Sequence, residues 1–90
     1  MADDSFSFED FKDKLEQQYD FPTKYTFKFI VPVAQVDRFF EEVFPKKMVE
    51  EKQSKTGKFS SFTARFSVRS SDEVIEIYKK ATVVPGLISL

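Results

Sequence analysis

Between Thr23 and Val31 the chain alternates: Tyr25, Phe27, Phe29 and Val31 fall on one parity, and Lys24, Thr26 and Lys28 on the other. A period of two in aromatic and β-branched residues predicts a strand with one buried face. The run Phe59–Arg69 repeats the pattern, with Phe62, Ala64, Phe66 and Val68 set against Thr63, Arg65, Ser67 and Arg69. Two half-buried strands need apolar cover, and amphipathic stretches on either side of them supply it. These constraints define an architecture far more closely than they define an activity.

Ninety residues suffice for one domain with a small core. Twelve of them are phenylalanine, so each core position carries a large buried area. The absence of cysteine and histidine removes disulfides, thiolate metal sites, thiol nucleophiles and the commonest general base. With 14 basic and 15 acidic residues the net charge is −1, and no global field favours nucleic acid or a membrane. The acidic start Met-Ala-Asp-Asp is unlike a signal peptide, and no apolar run approaches membrane-spanning length. The expectation is a soluble cytoplasmic protein.

Taken in order, residues 1–6 are expected to be disordered, and residues 7–90 to form one domain. Ser7 is placed to cap a helix over about 7–19, with Glu9 and Asp10 in its first turn and a stripe of Phe8, Phe11, Leu15 and Tyr19. That helix is expected to lie on the outside as an addition to a core over 21–90. Phe21-Pro22 stops it. After the first strand, Val36, Phe39, Phe40 and Val43 mark a helix from about Ala34 to Phe44, followed by Lys46 and Lys47 where cations suit its end. Met48–Ser54 reads as a charged edge strand, and Lys55-Thr56-Gly57-Lys58 as a turn. Setting Val49 opposite Ala64 places Glu50 opposite Thr63 and diagonal to Arg65. Ser70 and Glu73 fit a capping box before a helix whose stripe is Val74, Ile77, Tyr78 and Ala81. Pro85-Gly86 ends that helical unit, and Leu87–Leu90 reads as a final strand.

The order predicts an α+β fold, a ferredoxin-like split βαβ sandwich (βαββαβ, antiparallel, sheet order 4-1-3-2) with an extra N-terminal helix. Both core helices are then expected on one face of the sheet.

Two stretches, Phe21-Pro22-Thr23 leading into Tyr25-Thr26-Phe27-Lys28, and Ser54-Lys55-Thr56-Gly57-Lys58-Phe59-Ser60-Ser61, resemble the YbeD-like family of small bacterial proteins. The resemblance covers about Phe21 to Leu90. It implies a ferredoxin-like fold similar to the ACT regulatory domains, and no established activity or site. ACT-type effector sites use a glycine in the loop after the first strand. Here that loop is Val31-Pro32-Val33-Ala34, without glycine and with one amide removed by proline.

The sheet face away from the helices is the candidate site. Alternation assigns to it Lys24, Thr26, Lys28 and Ile30 from the first strand, and Phe59, Ser61, Thr63, Arg65, Ser67 and Arg69 from the third. Lys24, Lys28, Phe59, Thr63, Arg65 and Arg69 are the residues expected to meet a protein partner or nucleic acid. The plain alternative is a solvated face with Glu50 paired across strands. RNA-binding sheets stack bases on central-strand aromatics, but Phe62 and Phe66 take the buried parity and leave only Phe59 outside. The edges Met48–Ser54 and Leu87–Leu90 offer a route to a homodimer by sheet extension.

Catalysis has little support. An acylphosphatase-type site on this fold needs an asparagine, and the chain has none. Ser60, Ser61, Ser70 and Ser71 lack a base to activate them. Glu9, Asp10, Asp13 and Glu16 read as a solvated helix face rather than a cation site. The expectation is therefore a non-catalytic regulatory or protein-interaction module, ACT-like, with no cofactor, no metal and no membrane contact. The alternatives are an RNA-binding accessory protein using the open basic face, and small-molecule sensing at a dimer interface.

Overall fold

The computed structural model describes residues 7–90, so the disorder expected for residues 1–6 lies outside the described residues. Helix α1 spans Phe8–Gln18, strand β1 Thr23–Pro32, helix α2 Val36–Glu42, strand β2 Glu50–Gln53, strand β3 Phe59–Val68, helix α3 Ser71–Ala81 and strand β4 Ile88–Ser89. Together they make an α+β fold of three α-helices and a four-stranded sheet ordered β2-β3-β1-β4. Every neighbouring pair of strands is antiparallel.

The two alternating runs find each other. β1 and β3 pair along their whole length, with Phe27 opposite Ala64 and Phe29 opposite Phe62. This register stacks the apolar parity of both strands on one face, and the helices cover that face. Phe39 of α2 stacks on Phe62 with centroids 4.6 Å apart, and Tyr78 of α3 lies 5.6 Å from Phe27. Phe44 bridges the strands, 5.5 Å from Phe27 and 5.6 Å from Phe66. Such ring pairs each contribute about 0.5–1.5 kcal/mol beyond area burial. The phenylalanine excess is thus the means by which a small chain fills its core.

Helix α1 is more than an outer addition. Leu15 is 4 % exposed and belongs to the core, and Phe11 meets Tyr78 edge-on at 5.2 Å. Two polar contacts fasten α1 to the start of α3. The buried Ser71 hydroxyl donates to Glu16 at 2.7 Å, and Lys12 reaches Asp72 at 2.6 Å. That hydrogen bond, with Asp72 as its nearest charge, holds the Lys12 ammonium pKa above its ordinary value. Narrowness of the apolar stripe suggested a peripheral helix, but the stripe meets α3 instead of solvent.

Other boundaries moved for local reasons. Only Val36–Glu42 is α-helical, because Val33–Gln35 after Pro32 forms a 3-10 turn. Lys46 and Lys47 sit in a second 3-10 turn rather than at a helix end. β2 and β4 are shorter than expected, since neither has apolar alternation to sustain a ladder. Ser70 does cap α3 by accepting from the Glu73 N–H, but the Glu73 carboxylate accepts from the Arg69 N–H instead of closing the box on Ser70. Ile75 is buried beside Val74 and Ala81, while Ile77 and Tyr78 are half-buried.

Candidate functional site

The face of the sheet away from the helices presents most of the predicted residues in a fixed lattice. Thr26 stands opposite Arg65, Lys28 opposite Thr63, Ile30 opposite Ser61 and Pro32 opposite Phe59. Glu50 stands opposite Thr63 and Lys52 opposite Ser61, the register that the sequence suggested for the hairpin. Gly57 makes the hairpin turn possible by adopting φ +74°, a conformation that side chains other than glycine resist.

These residues do not form one uniform basic platform. Lys24 and Lys28 of β1 flank Thr26, which stands opposite Arg65, whereas Phe59 at the start of β3 lies about 20 Å from Arg65 along the strand. Phe59, 39 % exposed, is joined there by Ile30 and by Ile88 of β4, which pairs with Ile30 and is 51 % exposed. A shallow hollow of about 290 Å³ opens between Phe59, Ile30 and the hairpin residues Lys52–Lys55. The exposed apolar side chains therefore gather near the hairpin, where Lys52 and Lys55 border them, and Lys28 stands between them and Lys24. Ile88 was the missed member, because a two-residue strand gives no periodicity from which to assign its face.

Charge pairing separates the predicted cations. Arg69 lies beyond the end of β3 and pairs with Glu73 of α3 at 3.7 Å, so it does not join the others. Among the described residues no salt bridge involves Lys24, Lys28 or Arg65. The cross-strand pair expected between Glu50 and Arg65 is not formed; both instead border an open hollow of about 280 Å³ with Met48 and Thr63. An unpaired arginine on a sheet retains its full capacity to bind a carboxylate or phosphate.

The inner face contributes a polar pair of its own. The Tyr25 and Tyr78 hydroxyls lie 3.2 Å apart, and burial, reinforced by that hydrogen bond, pushes the Tyr78 phenol pKa above its ordinary range. A phenol held in its neutral form there is a hydrogen-bonding group and not a proton acceptor at neutral pH. Gly86 packs against the end of β1: a side chain there would come within 2.8 Å of Pro32 Cγ. Of the acids on α1, Glu9, Asp10 and Asp13 are exposed and Glu16 accepts from Ser71. Among the described residues no cluster of three or more potential ligands has the geometry of a metal site, and no helix is long and apolar enough to cross a membrane.

No curated protein and no solved structure matches the chain. A family model does, over residues 16–88, and its description is a protein of unknown function, DUF493. The match takes in the last turn of α1, which carries the Glu16 anchor to α3, and runs into β4. The chain belongs to the DUF493 family of proteins of unknown function.

Proposed function

We propose that this protein is a non-catalytic interaction module of the cytoplasm, regulatory in effect, which binds a protein partner through the open face of its sheet. The observation that carries the reading is the unpaired set Lys24, Lys28 and Arg65 on the same sheet face as the exposed Phe59 and Ile88 and the half-buried Ile30. Interfaces combine apolar anchors with charged surroundings in this manner, and arginine is enriched in them. A non-enzymatic role fits a chain without histidine or cysteine.

The strand order β2-β3-β1-β4, which reads 4-1-3-2 from the other edge, supports assigning the arrangement to the ferredoxin-like class. The ACT-like and YbeD-like parts of the reading rest on the motif resemblance and on this assignment. RNA binding is the second reading, favoured by the same three unpaired cations and weakened by the distance of Phe59 from them.

A triple variant Lys24→Glu, Lys28→Glu, Arg65→Glu tests the reading. It should unfold at the wild-type temperature, because all three side chains are exposed, and it should lose proteins that the immobilised wild type retains from a bacterial lysate. Amide NMR with a mixed single-stranded RNA pool decides between the two readings. Shifts at Lys28, Thr63 and Arg65 that vanish between about 50 mM and about 200 mM salt would identify a nucleic-acid face and overturn the proposal.

A further inference from the structure

The hollow at the hairpin end of the open face is built from residues in the middle of the chain. Ile30 of β1 and Phe59 and Ser61 of β3 line it, with Lys52 of β2 and Lys55 of the turn that follows. Helix α1 packs on the other face of the sheet, where Leu15 enters the core. Phe59 is 39 % exposed, and Lys52 and Lys55 are exposed. Hydrogen bonds fix the hairpin around Phe59. Its carbonyl accepts from the Ser54 N–H at 2.8 Å, its N–H donates to the Ser54 hydroxyl at 3.2 Å, and the Gly57 N–H donates to the Ser54 carbonyl at 3.0 Å. The hollow is therefore preformed, which spares a ligand the cost of ordering a loop.

Its centre is apolar and its rim cationic. Lys28 precedes Ile30 by two residues, about 7 Å along β1. Lys52 lies opposite Ser61, which lies opposite Ile30, so this lysine stands two strands away, about 10 Å across the sheet. Among the described residues no acid lines the hollow, and none of Lys28, Lys52 and Lys55 is in a salt bridge. The chain as a whole carries a net charge of −1, so this rim is a local segregation of charge. Charge complementarity then calls for an acidic partner. A second copy docking through the same face would set these lysines against one another. Single-stranded RNA would bring anions, but one phenylalanine beside Ile30 offers no succession of stacking surfaces. The volume of about 290 Å³ lies at the bottom of the range of about 300–1,000 Å³ for small-molecule pockets, which suits a single large side chain.

We infer that the Ile30–Phe59 hollow is the anchor point for an acidic segment of another protein, which places one aromatic side chain in the hollow and carboxylates against Lys28, Lys52 and Lys55. The inference rests on the protein-interaction reading and names the chemistry of the partner.

The probe is a blocked pentapeptide, one phenylalanine flanked by two acidic residues on each side, titrated into the labelled protein to about 10 mM and followed by amide NMR. The amides of Ile30, Phe59 and Ser61 should shift together and saturate. Replacing the peptide's phenylalanine by alanine, replacing its acids by lysine, or using the variant Lys52→Glu, Lys55→Glu should each weaken binding at least about tenfold. That variant should melt at the wild-type temperature, because both side chains are exposed. Shifts confined to Lys24, Thr26 and Arg65 would overturn the inference while leaving the sheet-face reading intact. Silence at every amide would overturn it too, and the lysate test of Lys24, Lys28 and Arg65 would still decide the broader reading. Single-stranded RNA that shifts Phe59 and Ser61 and displaces the peptide would assign the hollow to nucleic acid and overturn both. Shifts at these amides that grow with protein concentration in the absence of peptide would assign it to a second copy and overturn the inference.

Discussion

Replacing Leu15 by alanine asks whether α1 is part of the core or a dispensable addition. Leu15 is 4 % exposed within the cluster that holds Phe27 and Val74. The substitution removes three buried carbons at about 0.8 kcal/mol each, or about 2.4 kcal/mol of transfer free energy. The residual cavity raises the loss toward about 5 kcal/mol if α1 cannot settle inward. Settling is resisted by the Glu16–Ser71 and Lys12–Asp72 contacts, which fix the height of α1 over α3. The expected loss is therefore about 3 kcal/mol. With a urea m-value of about 1–3 kcal/mol/M, the midpoint falls by about 1–3 M. Gln17→Ala, on the exposed side of the same helix, should change stability by less than about 0.5 kcal/mol. If Leu15→Ala costs less than about 1 kcal/mol by urea unfolding, α1 is a loosely attached element and the packing argument fails.

Tyr78 and Lys12 predict a loss of stability in alkali. Both pKa values are raised in the folded state, Tyr78 chiefly by burial and Lys12 chiefly by its hydrogen bond to Asp72. Their stabilisation is complete below the unfolded values and lost as pH rises through the folded ones. Melting temperature should therefore fall as pH climbs past about 10, and Tyr78→Phe should lessen that fall; an unchanged slope in the variant would refute the assignment. Gly57→Ala and Gly86→Ala both force a side chain into positive φ, yet only at Gly86 does the new carbon meet Pro32. Chemical denaturation should show a cost of roughly 1–3 kcal/mol at Gly86 and a smaller one at Gly57. Ser7→Ala removes the oxygen that accepts from the Asp10 N–H, and should cost about 0.5–2 kcal/mol, read as lost helicity and a lower urea midpoint.

The central pair of strands was legible because periodicity and burial agree there: Phe27, Phe29, Val31, Phe62, Ala64 and Val68 are buried, and Tyr25 and Phe66 half-buried. The helix starts at Ser7 and Ser70 were legible because a cap is a local chemical event between residues close in sequence. Contacts between distant elements were not. Nothing near Leu15 in the chain announces that it meets the core; the Arg69–Glu73 pair is local, four residues apart, and was passed over because Glu73 was assigned to the capping box. Strand length was not legible either. β4 spans only Ile88 and Ser89, a length that no pattern in Leu87–Leu90 encodes. Of the candidate site, the residue identities and their face were readable. The gathering of Phe59, Ile30 and Ile88 near the hairpin was not, because it depends on how β4 pairs with β1.

Residue-resolved hydrogen exchange of the free protein along β1 tests the sheet account most directly. Tyr25, Phe27 and Phe29 turn their N–H groups toward β3 and should exchange slowly, near the global unfolding limit. Lys24 and Thr26 should exchange orders of magnitude faster, because their amides point away from β3 and, among the described residues, no strand pairs with them. Protection of Thr26 equal to that of Phe27 in a dilute monomeric sample would mean that the amides of β1 do not alternate between a paired and an unpaired side, and the account of the sheet would be wrong.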